Sequence, residues 1–126
     1  MPTIILVVED DETLRWLVVE ALTLRADTQV IDCTNADDAR VLLEHANTIN
    51  LVVTDIRMSG EMDGLELAQM CWKTWPMLPV IVTSGHCRLP VEQIPEGSAF
   101  MAKPWTLEQL YQAVDDRLLE PHKVST

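Results

Sequence analysis

Basic residues are scarce in this chain, whose 126 residues carry nine Lys plus Arg against twenty Asp plus Glu, a formal net charge of -11. Such an excess of negative charge repels phosphate backbones and anionic headgroups alike, which argues against direct binding to nucleic acid or to a membrane surface. Cysteine is sparse too. Cys33, Cys71 and Cys87 are widely spaced, with neither a CxxC pair nor Cys/His ligand spacing, so they read as small buried hydrophobes rather than metal or redox groups. There is no secretory signal and no apolar run long enough to span a bilayer, and the expected setting is the reducing cytoplasm. Internal repeats and low-complexity segments are missing as well. The length suits one domain, and 48% hydrophobic content is ample for one core. Residues 3–120 are expected to form that domain, with 121–126 as a flexible tail.

What is present is a series of short aliphatic runs that stop on polar residues. Ile4 to Val8 is uninterrupted and ends on Glu9-Asp10-Asp11-Glu12, as a strand buried on both faces would. From Asp11, a good N-cap, the residues Leu14, Leu17, Val18, Ala21 and Leu22 fall at helical spacing, with Arg15, Glu20 and Arg25 elsewhere on the wheel. Thr28 to Asp32 is less apolar, which suits an edge strand. Asn35 opens a helix through Ala36, Ala39, Leu42, Leu43 and Ala46, and Leu51-Val52-Val53-Thr54-Asp55 follows as a third strand. Beyond Asp63-Gly64 a helix with Leu65, Ala68, Trp72 and Trp75 on one face is stopped by Pro76 and Pro79. Pro79 to Val82 is a fourth strand, ending on Thr83-Ser84-Gly85. Pro90 and Pro95 leave His86 to Gly97 only a short or irregular fourth helix. Ser98 to Ala102 is the fifth strand, ending on Lys103-Pro104. Thr106 to Gln109 has capping-box spacing, and Leu107, Leu110, Tyr111, Val114 and Leu118 stripe the last helix up to a tail expected to fray from Glu120.

Alternating strands and helices of this kind imply a doubly wound α/β fold, a five-stranded parallel sheet with helices on both faces. Ligands of such sheets sit beyond the carboxyl ends of the strands. Those ends carry Glu9 and Asp10, Asp55, Thr83 and Lys103, which can all meet at one edge. The bland reading of Asp55, a residue that merely ends a strand, leaves that convergence unexplained. Three crowded carboxylates need a cation among them, and hard oxygen donors with room for water suit Mg²⁺ better than Zn²⁺. Lys103 and the Thr83 hydroxyl supply a positive charge and a donor suited to an arriving phosphoryl group. His45, His86 and His122 read as bystanders, and Met70, Trp72 and Trp75 as packing. Trp105 is read as either packing or partner surface.

The ordered motifs Glu9-Asp10, Thr54-Asp55-Ile56-Arg57-Met58, Asp63-Gly64, Val82-Thr83-Ser84-Gly85 and Ala102-Lys103-Pro104 resemble the receiver domain of two-component response regulators. The resemblance, to a flavodoxin-like, CheY-like fold, runs from about the third residue to the end of the last helix. It implies that Asp55 accepts a phosphoryl group from phosphohistidine on a histidine kinase or histidine phosphotransfer protein. It also implies that Mg²⁺ is held by Asp10 directly, by Glu9 through water, by Asp55 and by the backbone carbonyl of Arg57. Thr83 and Lys103 would bind phosphoryl oxygens, Phe100 would be the aromatic switch, and Pro104 would follow a cis bond.

The resemblance implies a phosphoacceptor rather than an enzyme, and phosphorylation is expected to promote a homodimer through the last two strands and helices. With nothing after Thr126 to act as an output domain, the expected target is another, unknown protein. A degenerate receiver that only binds a partner would have lost an acidic or Lys position, and none is lost. An Asp-nucleophile phosphohydrolase of the haloacid-dehalogenase type would carry a second Asp where Arg57 stands. Departures from the family are Ser59 in place of the usual Pro, the additional Glu61, the prolines of the fourth-helix region, and a Phe100 without a hydroxyl.

Overall fold

The computed structural model describes residues 2–45, 48–57, 63–85 and 93–124, with side chains of the last helix described as far as Leu118. In chain order the elements are β1 (Thr3–Val8), α1 (Glu12–Thr23), β2 (Thr28–Cys33), α2 (Ala36–His45), β3 (Leu51–Asp55), α3 (Gly64–Thr74), β4 (Val80–Ser84), β5 (Ala99–Ala102) and α4 (Leu107–Val124). The five strands form one parallel sheet in the order β2-β1-β3-β4-β5. The expected doubly wound α/β, CheY-like flavodoxin architecture is the observed one. Among the described residues, no helix is long and apolar enough to cross a membrane.

The aliphatic runs lack polar interruptions because both faces of the inner strands are covered. On one face Leu6, Val8, Val52, Val80 and Val82 pack with Ala36, Ala39 and Leu43 of α2 and with Leu67, Ala68 and Cys71 of α3. On the other, Ile5, Val7, Leu51, Val53 and Ile81 pack with Val18, Ala21 and Leu22 of α1 and with Leu110 and Val114 of α4. Successive residues of a strand thus serve opposite layers, as the twofold side-chain alternation requires. The outer helices are also tied together, for Arg25 Nε lies 2.9 Å from Asp115 Oδ1 and the Tyr111 hydroxyl donates to the carbonyl of Ala21.

Helix starts follow the expected caps. Asp11 Oδ1 accepts from Leu14 N at 2.9 Å, Asn35 Oδ1 accepts from Asp38 N at 2.8 Å, and Thr106 and Gln109 exchange side-chain and backbone bonds at 2.8 and 3.1 Å. Several details differ from the sequence reading. The face of α3 centres on Gly64, Leu67, Ala68 and Cys71, with Leu65, Trp72 and Trp75 only partly buried at its margin. Leu17 of α1 and Leu107 of α4 are exposed, because the apolar stripe of each helix is wider than its contact with the sheet. The backbone of α4 is helical as far as Val124, whereas the sequence leads us to expect a tail fraying from Glu120.

The expectations resting on Ala46, Ser59, Glu61, His86, Cys87 and Pro90 lie outside the described residues, and with them most of the irregular fourth-helix region. The described remainder before β5 is made of turns, with Ser98 N donating to the Pro95 carbonyl at 3.0 Å and Gly97 at φ +93°.

Candidate functional site

The topology decides which strand ends become neighbours. β3 lies between β1 and β4, Val8 pairs with Thr54, and Asp55 pairs with Thr83, so the ends carrying Glu9, Asp55 and Thr83 stand side by side. Beyond β5 the backbone ladder continues, for Lys103 N donates to Ser84 O at 2.9 Å and the Lys103-Pro104 peptide is cis. The Lys103 ammonium reaches back to within 3.0 Å of Asp55 Oδ2 and 3.5 Å of Glu9 Oε1.

Glu9, Asp10 and Asp55 each direct a carboxylate oxygen into one cluster, those atoms lying within 4.8 Å of one another. Glu9 and Asp55 are buried while Asp10 is exposed, which leaves the cluster open to solvent on one side. Burial pushes the carboxyl of Glu9 above its ordinary range, reinforced by the charges of Asp55 and Asp10. The Asp11 backbone N–H and Lys103 only partly offset that rise. For Lys103, burial alone would lower the ammonium's affinity for its proton. The hydrogen bond to Asp55 and the attraction of Glu9 and Asp55 outweigh it and leave the group above its usual value. One lysine therefore serves two buried acids with a third beside them. The donor set, three hard carboxylates with an open side, fits an oxygen-loving divalent cation such as Mg²⁺ and offers no soft ligand.

The loop that carries Glu9 and Asp10 is held at several points. Glu9 N donates to Cys33 O at 3.2 Å, Asp11 N donates to Glu9 Oε2 at 3.1 Å, and Arg15 Nη1 donates to the Glu9 carbonyl at 3.0 Å. Arg15 Nε in turn lies 3.2 Å from Asp32 Oδ2 at the end of β2. On the other side of the site, Gly64 packs so closely that a Cβ there would stand 1.5 Å from the carbonyl oxygen of Asp55. The N–H of Gly64 donates to Ile56 O at 2.9 Å. Asp63 caps α3 in a reciprocal capping box with Glu66, at 2.8 and 3.0 Å.

The structure brings Glu9, Asp10, Asp55 and Lys103 together as the sequence led us to expect, with Thr83 buried beside Asp55. Arg57 is exposed two residues past Asp55. Phe100 pairs with Val82 in the sheet and is partly buried against the layer formed by α2 and α3, on the opposite side from Met101. Sequence reasoning missed Arg15, which falls off the apolar stripe of α1, and the steric reason for Gly64. A glycine directly after a capping Asp was the one available signal for the latter. Burial pushes the thiols of Cys33 and Cys71 up to about 11 and about 12, so both stay protonated and behave as the expected hydrophobes.

The sequence model of the response regulator receiver domain matches residues 5–115. The transcriptional regulatory protein GlrR of Escherichia coli K12 is 36% identical over 120 residues, covering 93% of this chain and 26% of that protein. The DNA-binding transcriptional regulator NtrC of Klebsiella pneumoniae is 32% identical over 114 residues, covering 86% and 23%. The chain thus spans about a quarter of the length of these curated relatives. A response regulator receiver protein from Sinorhizobium medicae superposes with a TM-score of 0.81 at 30% identity over 93% of this chain and 94% of that one. A CheY-like receiver domain from Methanospirillum hungatei reaches 0.85 at 23% identity over 98% of each, a likeness of fold. Because the family match begins inside β1 and ends inside α4, taking in every strand end that feeds the acidic cluster, the chain belongs to the response regulator receiver domains.

Proposed function

We propose that the chain is a phosphoacceptor in a two-component phosphorelay, with Asp55 as the nucleophile. The observation that carries this reading is the Asp55 carboxylate, buried, 3.0 Å from the Lys103 ammonium and clustered with Glu9 and Asp10. A carboxylate needs no general base at neutral pH. The protein has only to position it and to spread the charge of the transferring group. A carboxylate oxygen of Asp55 bonds to phosphorus as the bond from phosphorus to the histidine nitrogen of the donor breaks, giving an acyl phosphate and a free imidazole. The donor is a histidine kinase or a histidine phosphotransfer protein.

Asp10 and Asp55, Glu9 through a water, and the backbone carbonyl of Arg57 would hold Mg²⁺, which when bound neutralises charge on the phosphoryl oxygens. Lys103 pairs with one phosphoryl oxygen and the Thr83 hydroxyl with another. Recruitment of Thr83 repositions the end of β4 and lets Phe100 repack, and the changed face of β4, β5 and α4 is read by another protein or by a second copy of the chain. The chain acts in the cytoplasm and takes part in its own phosphorylation and dephosphorylation, without turning over a separate substrate.

The test is labelling with a small acyl-phosphate donor and Mg²⁺, read by intact mass. Wild type should gain one phosphoryl group, lost on treatment with hydroxylamine, and Asp55→Asn should gain none while keeping its circular dichroism. A label that survives in Asp55→Asn places the acceptor elsewhere and overturns the reading.

A further inference from the structure

We propose that Arg15 is a positioning residue for the acidic cluster, fixing the peptide that joins Glu9 to Asp10 so that both carboxylates face the cation site. This inference rests on the proposed phosphoacceptor reading. Arg15 lies one turn inside α1, its N–H bonded to the carbonyl of the N-cap Asp11 at 2.8 Å, and a helix side chain leans back over the preceding turn. Its guanidinium consequently lies over the junction between β1 and α1. It uses two different nitrogens for two different elements: Nη1 donates to the Glu9 carbonyl at 3.0 Å, and Nε meets Asp32 Oδ2 at 3.2 Å.

The Glu9 carbonyl belongs to the planar Glu9-Asp10 peptide, so holding its oxygen fixes the orientation from which both side chains depart. The other restraints on this loop act elsewhere: Glu9 N is bonded to Cys33 O, and the Glu9 side chain is bonded to Asp11 N. Asp32 anchors the arginine from the end of β2, and the Arg15 side chain is only 18% exposed. A lysine could satisfy either partner but lacks the planar fork that reaches both.

Geometry and charge make opposite claims here, which gives the test its sign. Taking away the positive charge bonded to the Glu9 carbonyl can by itself only favour a cation in the nearby cluster. Loosening the peptide that aims two of them should weaken it. Titration calorimetry of the full chain with MgCl₂ is therefore expected to show a dissociation constant about tenfold higher for Arg15→Met, the scale on which a group orienting metal ligands acts. Arg15→Lys, which keeps the charge, should also bind more weakly than wild type. With the small acyl-phosphate donor, the labelling rate of both variants should return toward the wild-type value at saturating Mg²⁺. Unchanged or tighter Mg²⁺ binding in Arg15→Met, or a Lys variant that binds like wild type, would overturn the inference. Asp10→Ala separates the two levels. If wild type binds Mg²⁺, Asp10→Ala does not and the Arg15 variants bind normally, only the positioning role fails; if wild type binds none, the phosphoacceptor reading fails with it.

Discussion

Gly64→Ala should be far more costly than a change of one methyl group at the start of a helix suggests. The added Cβ would stand 1.5 Å from the Asp55 carbonyl oxygen, 2.5 Å from its carbonyl carbon and 3.0 Å from Ile56 Cα. All three are backbone atoms of a buried strand end, so no side chain can swing aside. Reaching even 3.0 Å from the oxygen requires α3 and the end of β3 to separate by a further 1.5 Å. That movement breaks the 2.9 Å bond from Gly64 N to Ile56 O, worth about 1 kcal/mol. Forcing backbone apart in a packed core adds about 1–3 kcal/mol. Alanine gives back at most about 1 kcal/mol of helix propensity. The net expectation is a loss of roughly 1–3 kcal/mol, a sizeable fraction of the stability of a typical domain. Equilibrium unfolding in urea measures it directly. Because the displaced atom is the carbonyl of Asp55, the proposed nucleophile, the folded variant should also label more slowly, by about a hundredfold for a 1 Å misplacement. A stability loss below about 0.5 kcal/mol, the range of an ordinary surface change, would refute the reasoning.

Lys103→Met removes the cation that stands 3.0 Å from Asp55 and 3.5 Å from Glu9, so Mg²⁺ binding should tighten, most visibly at low ionic strength, while labelling slows by about 10²–10³-fold. Calorimetry and mass spectrometry report the two effects separately, and parallel losses in both would contradict the assigned roles. In Mg²⁺-free buffer the raised carboxyl of Glu9 contributes stability that is fully present below the ordinary value of 4.5 and is lost as pH climbs through the folded value, because the native state holds its proton longer than the unfolded chain. Glu9→Gln escapes that loss, so its stability relative to wild type, from urea midpoints, should grow as pH rises above 4.5 and level off above the folded value; a constant difference would speak against a raised carboxyl.

The legible parts of the sequence are those with local causes. Aliphatic runs flanked by polar residues marked β1, β3 and β4 because both faces of an inner strand are dry, and Asp11, Asn35 and Thr106 marked helix starts because their side chains bond the free N–H groups there. The face of α3 was misjudged for a nonlocal reason. Gly64, Ala68 and Cys71 are small residues at helical spacing, and they let α3 approach β3 closely. That contact turns the larger Leu65 and Trp72 to its margin, where the Trp72 Nε1–H finds the Ser98 hydroxyl at 3.1 Å. Hydrophobicity favoured the tryptophans, whereas the sheet buries Leu67 together with the small Gly64, Ala68 and Cys71. Arg15 was opaque for a related reason. Its two partners lie in separate segments, and nothing in the spacing of α1 announces either.

Strand order also explains why the cation that the described residues bring to the cluster is a lysine carried past the end of β5. From β5 to β3 the sheet must be crossed over β4, two strand spacings or about 10 Å. The Lys103 stem, the 3.0 Å contact at its tip and the Asp55 side chain close that distance together, from a backbone already bonded to Ser84. The residue it passes is Gly85, where an added Cβ would only just touch Lys103 Cβ at 3.5 Å and Cδ at 3.9 Å. The lysine stem passes Gly85 at ordinary contact distance, whereas at Gly64 only the absence of a side chain leaves room for the carbonyl of Asp55. Thr83, the sheet partner of Asp55, lies on the strand the lysine spans. The acid comes from β1 and β3, the hydroxyl from β4 and the cation from beyond β5, so no two neighbouring segments of sequence could have built this site without the sheet between them.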